Sequence, residues 1–171
     1  MKAAFFLAPH RPLEVRDAPD PTPADDELLV RVAACGVCHT DLHYIDHGVP
    51  TFKKPPVILG HEASGVVERA GPRAQGFRAG DRVILPAVLA CGDCAYCRGG
   101  RSNICDQMRM YGNHIDGAFA EKATVPARQA IKLPEEGRIA RPGVHALLTE
   151  QKVAAPVLLA VLQHLHTLGG E

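Results

Sequence analysis

Short runs of apolar residues, each bounded by glycine, proline or aspartate, recur through the first 135 positions of the chain. Several runs alternate partly between apolar and polar side chains, which is typical of strands that bury one face. The runs predicted to form strands are 3–7, 13–17, 27–34, 64–70, 81–85, 118–125 and 130–133. This pattern indicates a mainly β fold, a barrel or a sandwich. A short helix is predicted directly after Cys38.

The pattern changes from about Gly137 onward, where no run resembles a strand. The segment 149–168 predicts a helix that is apolar on nearly all sides, and Pro156 would start or kink it. The chain is therefore predicted to have two parts. Residues 1–136 form a β-rich domain, and residues 137–171 form a divergent helical tail.

Composition and charge exclude several classes of protein. The 19 basic residues balance the 19 acidic ones, so there is no electrostatic basis for binding nucleic acid or an anionic membrane. The first apolar run, of about six residues, is too short for a signal peptide, and no segment is long enough to cross a bilayer. We expect a cytoplasmic protein whose thiols stay reduced.

Four cysteines are closely spaced as Cys-x2-Cys-x2-Cys-x7-Cys, at Cys91, Cys94, Cys97 and Cys105. Four thiolates on a short turning segment can bind a tetrahedral zinc with little loss of loop entropy. An iron–sulfur cluster uses the same donors, and two disulfides are a further alternative. A reducing compartment favours a metal over disulfides. We predict a structural zinc in a lobe spanning residues 88–108.

A second group of candidate ligands, Cys38, His61 and Glu62, mixes a thiol, an imidazole and a carboxylate. Such a set is typical of a catalytic zinc that keeps one position open. A lone cysteine or histidine is more often a core residue, so these residues alone leave both interpretations open. Cys35 and Cys38 could also form a redox dithiol, but the βαβ pattern of such folds is missing. Cys35 is predicted to be a small buried residue at a strand end.

The segment 60–74, GHEASGVVERAGPRA, resembles the signature of zinc-containing alcohol dehydrogenases. GVCHTDLH before it, GDRV after it and the four cysteines follow in the order and spacing of that family. The resemblance covers about residues 1–135. It implies the N-terminal catalytic domain of a medium-chain dehydrogenase, which is a GroES-like β-barrel carrying a zinc lobe.

The resemblance also implies roles for the candidate metal ligands. Cys38 and His61 would bind the catalytic zinc, and Glu62 would be the adjacent carboxylate that ligates it at some stages of the cycle. Asp41 would orient the ligand histidine and fix its tautomer. The implied reaction oxidises an alcohol to an aldehyde or ketone with NAD(P).

Three further residues after Cys38 match positions that the family uses around substrate and cofactor. Thr40 would contact the substrate oxygen, and His43 would pass the proton to solvent. His39 would face the cofactor pyrophosphate. Without the resemblance, the preferred interpretation of these three is a polar surface on a short helix.

The resemblance fails after residue 136. The 171 residues contain no G-x-G-x-x-G turn of a nucleotide-binding domain. Leu159 occupies the place where many relatives have a further zinc-ligating cysteine, and leucine cannot bind a metal. His145, His164 and His166 are weaker candidates to replace it. We therefore expect a truncated or frame-shifted form of the enzyme.

Three functions are compatible with this sequence. The chain could be a catalytic domain that acts on a small alcohol or carbonyl substrate only when a nucleotide-binding domain supplies the NAD(P) site. It could be a non-catalytic, zinc-binding remnant. It could also be an interaction module that self-associates or binds a partner chain through the exposed cleft. In each case the chain by itself is expected to be inactive.

Overall fold

A computed structural model describes residues 1–134 of the protein. The predicted tail over 137–171 therefore lies outside the described residues, as do Leu159, His145, His164 and His166. No helix in the described part is long and apolar enough to cross a membrane. The elements in chain order are β1 (Lys2–Phe6), β2 (Glu14–Asp17), β3 (Glu27–Gly36), α1 (His39–Ile45), β4 (Val57–Ile58), β5 (Glu62–Ala70), β6 (Arg82–Leu85), β7 (Val88–Leu89), α2 (Ala95–Arg98), a 3₁₀ turn (Ser102–Ile104), β8 (Arg109–Met110), β9 (Lys122–Pro126) and β10 (Ile131–Lys132).

The strands form antiparallel sheets, and the prediction of a mainly β fold is confirmed. One sheet has the order β10-β6-β5-β3-β9, and a second has the order β2-β1-β4. An antiparallel bridge between Ala3 and Ala120 links the two sheets, and the Ala4 N–H donates to the Phe119 carbonyl at 2.8 Å. A separate two-stranded ribbon of β7 and β8 carries the cysteine-rich segment.

Each of the seven predicted runs contains a strand, and the helix after Cys38 is confirmed as α1. The predicted run 118–125 becomes a strand only from Lys122, because the N–H groups before it bond elsewhere. Those of Ala118 and Phe119 donate to the carbonyls of Gly60 and Leu59, both at 2.9 Å. The prediction missed β4, β7 and β8, because strands of two residues have no measurable periodicity.

The core consists of aliphatic and aromatic side chains shared by the two sheets. In β5, residues 63, 65 and 67 are buried while their neighbours are not, so the predicted alternation is present. Burial of a large aliphatic or aromatic side chain contributes about 1.5–3 kcal/mol to stability. The largest fully buried apolar residues are Phe6, Leu28, Leu59, Val30, Val57, Val67, Val83 and Val125.

Two glycines of the 60–74 segment stand where the chain passes too close for a side chain. Gly60 has a φ of +90°, and a Cβ there would lie 2.5 Å from the Phe119 ring and 2.9 Å from Cys35 Sγ. A Cβ on Gly65 would overlap the Arg31 carbonyl oxygen of the neighbouring strand. Larger residues would therefore push β5 off its neighbours and displace His61, which follows Gly60.

Candidate metal centres and active site

The first candidate centre begins where β3 ends and α1 starts. Cys38 is the residue that precedes the first turn of α1, in extended conformation at φ −109° and ψ 159°. The Asp41 carboxylate reaches back and accepts the Cys38 backbone N–H through Oδ2 at 3.0 Å. A carboxylate three residues after the helix start satisfies a donor that the helix cannot use. The sequence C-x2-D therefore fixes the position of the Cys38 thiol.

The same carboxylate also fixes the segment that carries His61. Asp41 is fully buried, and its Oδ1 accepts the Gly60 N–H at 3.2 Å. The same oxygen lies 3.6 Å from His61 Nδ1, a buried nitrogen that has no hydrogen-bond partner among the described residues. Because Nδ1 faces the carboxylate, Nε2 is the nitrogen available to a metal.

Cys38, His61 and Glu62 form one group, here called the catalytic cluster. One ligand atom from each lies within 4.8 Å of the other two. His61 is only 4% exposed, whereas Cys38 is half-buried and Glu62 is exposed. A thiol, an imidazole and a carboxylate thus lie close together, and the side of the cluster formed by Glu62 is open to solvent. This donor set fits a catalytic zinc with a free position.

Two groups of the catalytic cluster have shifted pKa values. The Asp41 carboxylate raises the pKa of His61 to about 9, against the opposing effect of burial. A hydrogen bond from the Thr40 backbone lowers the pKa of the Cys38 thiol, and His61 lowers it further. Cys38 is therefore biased toward the thiolate, which is the form that binds metals.

Cys35, by contrast, is confirmed as a buried residue near the end of β3, only 6% exposed. Burial raises the pKa of its thiol to about 12. A thiol of that pKa is a poor nucleophile at neutral pH. The hypothesis of a redox dithiol with Cys38 therefore loses its support.

The three remaining candidates of this region all lie on α1. Thr40 Oγ1 is 3.7 Å from Cys38 Sγ, which places the hydroxyl beside the catalytic cluster. His43 and His39 are both exposed, and their ring centroids are 6.2 Å apart in an edge-on arrangement. The roles of Thr40, His43 and His39 in proton transfer and cofactor contact stay predictions.

The second candidate centre, the zinc lobe, brings the four predicted cysteines together. The Sγ atoms of Cys91 and Cys97 are 3.9 Å apart, and those of Cys94 and Cys105 are 4.0 Å apart. A tetrahedral zinc with bonds of about 2.3 Å requires sulfurs about 3.8 Å apart. The sulfurs are too distant for disulfides, whose bond is about 2.05 Å, and all four thiols are free.

Backbone N–H groups surround the sulfurs of the lobe. Those of Asp93 and Cys94 point to Cys91 Sγ at 3.4 and 3.3 Å. These two donors lower the pKa of Cys91 to about 7, whereas burial raises that of Cys97 to about 12. Such N–H groups offset the negative charge of the thiolates. The donor set is closed and uniform, which is typical of a structural zinc site.

Two residues that the sequence did not reveal connect the lobe to the rest of the domain. The Arg128 guanidinium donates to the carbonyls of Ala90 and Cys91 at 3.2 and 2.9 Å. The Gln129 amide accepts the Ala90 N–H at 2.8 Å and donates to the Ala90 carbonyl at 2.9 Å. The residues in these contacts are 37–39 positions apart in the sequence, so no local sequence pattern marks them. Only a spatial structure could identify these two residues.

Comparison with known protein families gives a match to the alcohol dehydrogenase GroES-like domain over residues 24–135. An alcohol dehydrogenase of Geobacillus stearothermophilus is 40% identical over 136 residues, which is 79% of this chain and 40% of that protein. An L-threonine 3-dehydrogenase of Shewanella sediminis is 37% identical over 138 residues, covering 80% of this chain and 40% of the relative. The chain thus spans about two fifths of the length of the curated relatives it matches.

Solved structures give the same result for the fold. A thermostable alcohol dehydrogenase from Pyrobaculum aerophilum, with cobalt and zinc bound, superposes with a TM-score of 0.72 at 34% identity over 80% of this chain and 42% of that one. An alcohol dehydrogenase from Escherichia coli in complex with NADH gives 0.71 at 36% identity, over 79% and 39%. This chain belongs to the family of zinc-containing, medium-chain alcohol dehydrogenases, through their GroES-like domain.

Proposed function

We propose that residues 1–134 are the zinc-binding catalytic part of an oxidoreductase that converts an alcohol to an aldehyde or ketone with NAD(P). The observation that supports this most is that one ligand atom from each of Cys38, His61 and Glu62 lies within 4.8 Å of the other two, with Glu62 exposed to solvent. Because the chain spans only about 40% of its relatives, the activity of the whole protein is part of the proposal.

The donor set of the catalytic cluster fits zinc. Cys38 and His61 would hold the ion, with Glu62 on the exposed side. When bound, zinc supplies a Lewis acid that lowers the pKa of an alcohol oxygen. The part of Asp41 is to hold both ligands in place, since it accepts N–H groups at Cys38 and at Gly60. Such support keeps ligand geometry constant while substrates exchange.

The proton of the alcohol leaves through α1. Thr40, whose hydroxyl lies 3.7 Å from Cys38 Sγ, accepts the proton from the substrate hydroxyl as it passes its own proton on. His43 is exposed one helical turn further along and delivers the proton to solvent, for which an imidazole is well suited. A bound nicotinamide would supply the acceptor for the hydride of the alcohol. His39 on the same helix would contact the cofactor phosphates.

The zinc lobe has a structural part in this proposal. Its four sulfurs have the separations of a closed tetrahedral site, which leaves no position for a substrate. Arg128 and Gln129 connect the lobe to the barrel through hydrogen bonds to the carbonyls of Cys91 and Ala90. Residues 1–134 by themselves are expected to turn over no alcohol, because hydride transfer requires a positioned cofactor. We also propose a cytoplasmic location.

A non-catalytic zinc-binding protein is the second candidate, and one observation favours it. Leu159 replaces the cysteine that many relatives use as a further ligand of the catalytic zinc. With only Cys38, His61 and Glu62 in the first coordination sphere, the ion would be held more weakly. In that case the lobe alone would retain zinc, and the domain would fold without catalysing a reaction.

A chimera tests the proposed function. Residues 1–134 would replace the corresponding part of the Geobacillus stearothermophilus alcohol dehydrogenase, which is 40% identical to this chain. We expect zinc-dependent alcohol oxidation with NAD(P), measured by nicotinamide absorbance. Thr40→Val should lower kcat by about 10²–10⁴-fold, as expected for loss of a proton-transfer group, whereas Thr51→Val, a threonine outside α1, should not. A folded, zinc-loaded chimera without turnover would refute the proposal.

A further inference from the structure

We propose that His43 and His47 form an additional metal site on the surface of the domain, for a divalent ion of the Zn²⁺, Ni²⁺ and Cu²⁺ class. The site is separate from the catalytic cluster and from the zinc lobe. It uses two imidazoles at positions i and i+4, that of His43 on α1 and that of His47 just beyond its end. Its occupation would take His43 out of proton release, a consequence that rests on the proposed function.

The first observation is the distance between the two rings. The centroids of His43 and His47 are 5.5 Å apart, with the ring planes tilted by 57°. Two imidazoles on a tetrahedral ion, with metal–nitrogen bonds of about 2.0–2.1 Å, have centroids about 5 Å apart. Both residues are exposed, so their side chains can rotate the small amount that is needed. The separation of the two rings is therefore close to that of a pair bound to one ion.

The second observation is the backbone that holds His47 over the end of the helix. α1 ends at Ile45, but the Asp46 N–H still donates to the Leu42 carbonyl at 2.7 Å. The Val49 N–H donates to the His43 carbonyl at 3.1 Å. These bonds fix the chain on both sides of His47. Little backbone conformational entropy is therefore lost when an ion joins the two rings.

A third imidazole continues the same row. His39 lies one turn before His43, with ring centroids 6.2 Å apart, so three exposed histidines follow one another at intervals of four. Asp46, the residue before His47, is also exposed. Imidazole is a preferred ligand of Zn²⁺, Ni²⁺ and Cu²⁺, and water can complete the coordination of an ion held by two protein ligands.

The consequence for activity concerns His43. A nitrogen bound to an ion can no longer accept a proton. An ion at His43 and His47 would block the last step of the proposed proton path while leaving Cys38, His61 and Glu62 untouched. The site would therefore allow excess transition metal to inhibit the enzyme reversibly.

In the test, Ni²⁺ is titrated into the full zinc-loaded chain, and binding is measured by isothermal titration calorimetry. We expect one Ni²⁺ to bind to the wild type, and His47→Gln to weaken this binding by about tenfold or more, since one of two ligands is lost. The double variant His164→Gln/His166→Gln, which removes two histidines that are two positions apart in the sequence, is the control and should bind as the wild type does. Unchanged zinc content and melting temperature in His47→Gln would exclude misfolding.

Each outcome is decisive for the site. The proposal would be overturned if His47→Gln bound Ni²⁺ as tightly as the wild type does. It would also be overturned if the His164→Gln/His166→Gln variant no longer bound Ni²⁺. In the chimera, Ni²⁺ should inhibit alcohol oxidation in the wild type and not in His47→Gln. If Ni²⁺ bound but did not inhibit alcohol oxidation, the metal site would be supported and its proposed effect on proton release would be wrong. A chimera that never turns over would refute the proposed function, while the Ni²⁺ titration would still decide on the site.

Discussion

Replacement of Cys105 by serine is expected to remove the metal of the zinc lobe and to cause one of the largest losses of stability in the domain. Cys105 is 3% exposed, and its sulfur accepts the Cys91 N–H at 3.3 Å and lies 4.0 Å from Cys94 Sγ. The change would leave three ligands and a buried polar group. We expect a loss of about 4–5 kcal/mol, because loss of a structural metal belongs to the most severe class of mutation.

Calorimetry and elemental analysis would measure this effect. For a chain of this size, the loss corresponds to a decrease in melting temperature of roughly 10–20 °C. Cys35→Ala is the matched control, because it removes a buried thiol that belongs to neither metal centre. It should retain both metals and melt only slightly lower. A Cys105→Ser protein that keeps its metal content and melting temperature would contradict the structural role of the lobe.

Replacement of Asp41 by alanine is expected to weaken the catalytic cluster and the fold together. The change leaves the N–H groups of Cys38 and Gly60 without an acceptor and removes the carboxylate that faces His61. Because Asp41 is fully buried, we expect a loss of about 2–4 kcal/mol. Removal of a residue that orients a ligand typically weakens metal binding by about 10–100-fold.

The conservative variant Asp41→Asn separates the two effects. Asparagine keeps the shape and one acceptor but lacks the charge, so stability should decrease less than in Asp41→Ala. Zinc affinity at the catalytic cluster, measured by competition with a chelator, should decrease in both variants, while the zinc lobe keeps its ion. If both variants fold less stably but bind zinc as the wild type does, then Asp41 only supports the fold.

Much of this architecture is encoded in local sequence patterns. Apolar alternation predicted seven strand-forming runs, because a sheet buried on one face imposes a period of two. The spacing of the four cysteines predicted a cluster, because bringing ligands of one short loop together costs little loop-closure entropy. The segment 60–74 contains glycines that a positive φ or a close approach requires, and Gly60 combines both. In these places, local sequence determines local structure.

What the sequence left open depends on contacts between distant residues. Arg128 and Gln129 bond to the base of the lobe across 37–39 positions, and no periodicity marks them. The late start of β9 follows from hydrogen bonds between Phe119 and Leu59, which compete with the strand ladder. His47 lies just beyond α1, and its closeness to His43 appears only in the backbone bonds that extend the helix end. The domain boundary at 136 stays a prediction.

Zinc content per chain tests the central claim most directly, which is that this domain holds two separate zinc centres with cysteine ligands. The measurement is elemental mass spectrometry on protein purified without chelator, for the wild type and for Cys38→Ala. We expect about two zinc ions per chain in the wild type and about one in the variant, since the variant loses only the catalytic cluster. About one zinc in both proteins would contradict it, because only the lobe would then hold a metal.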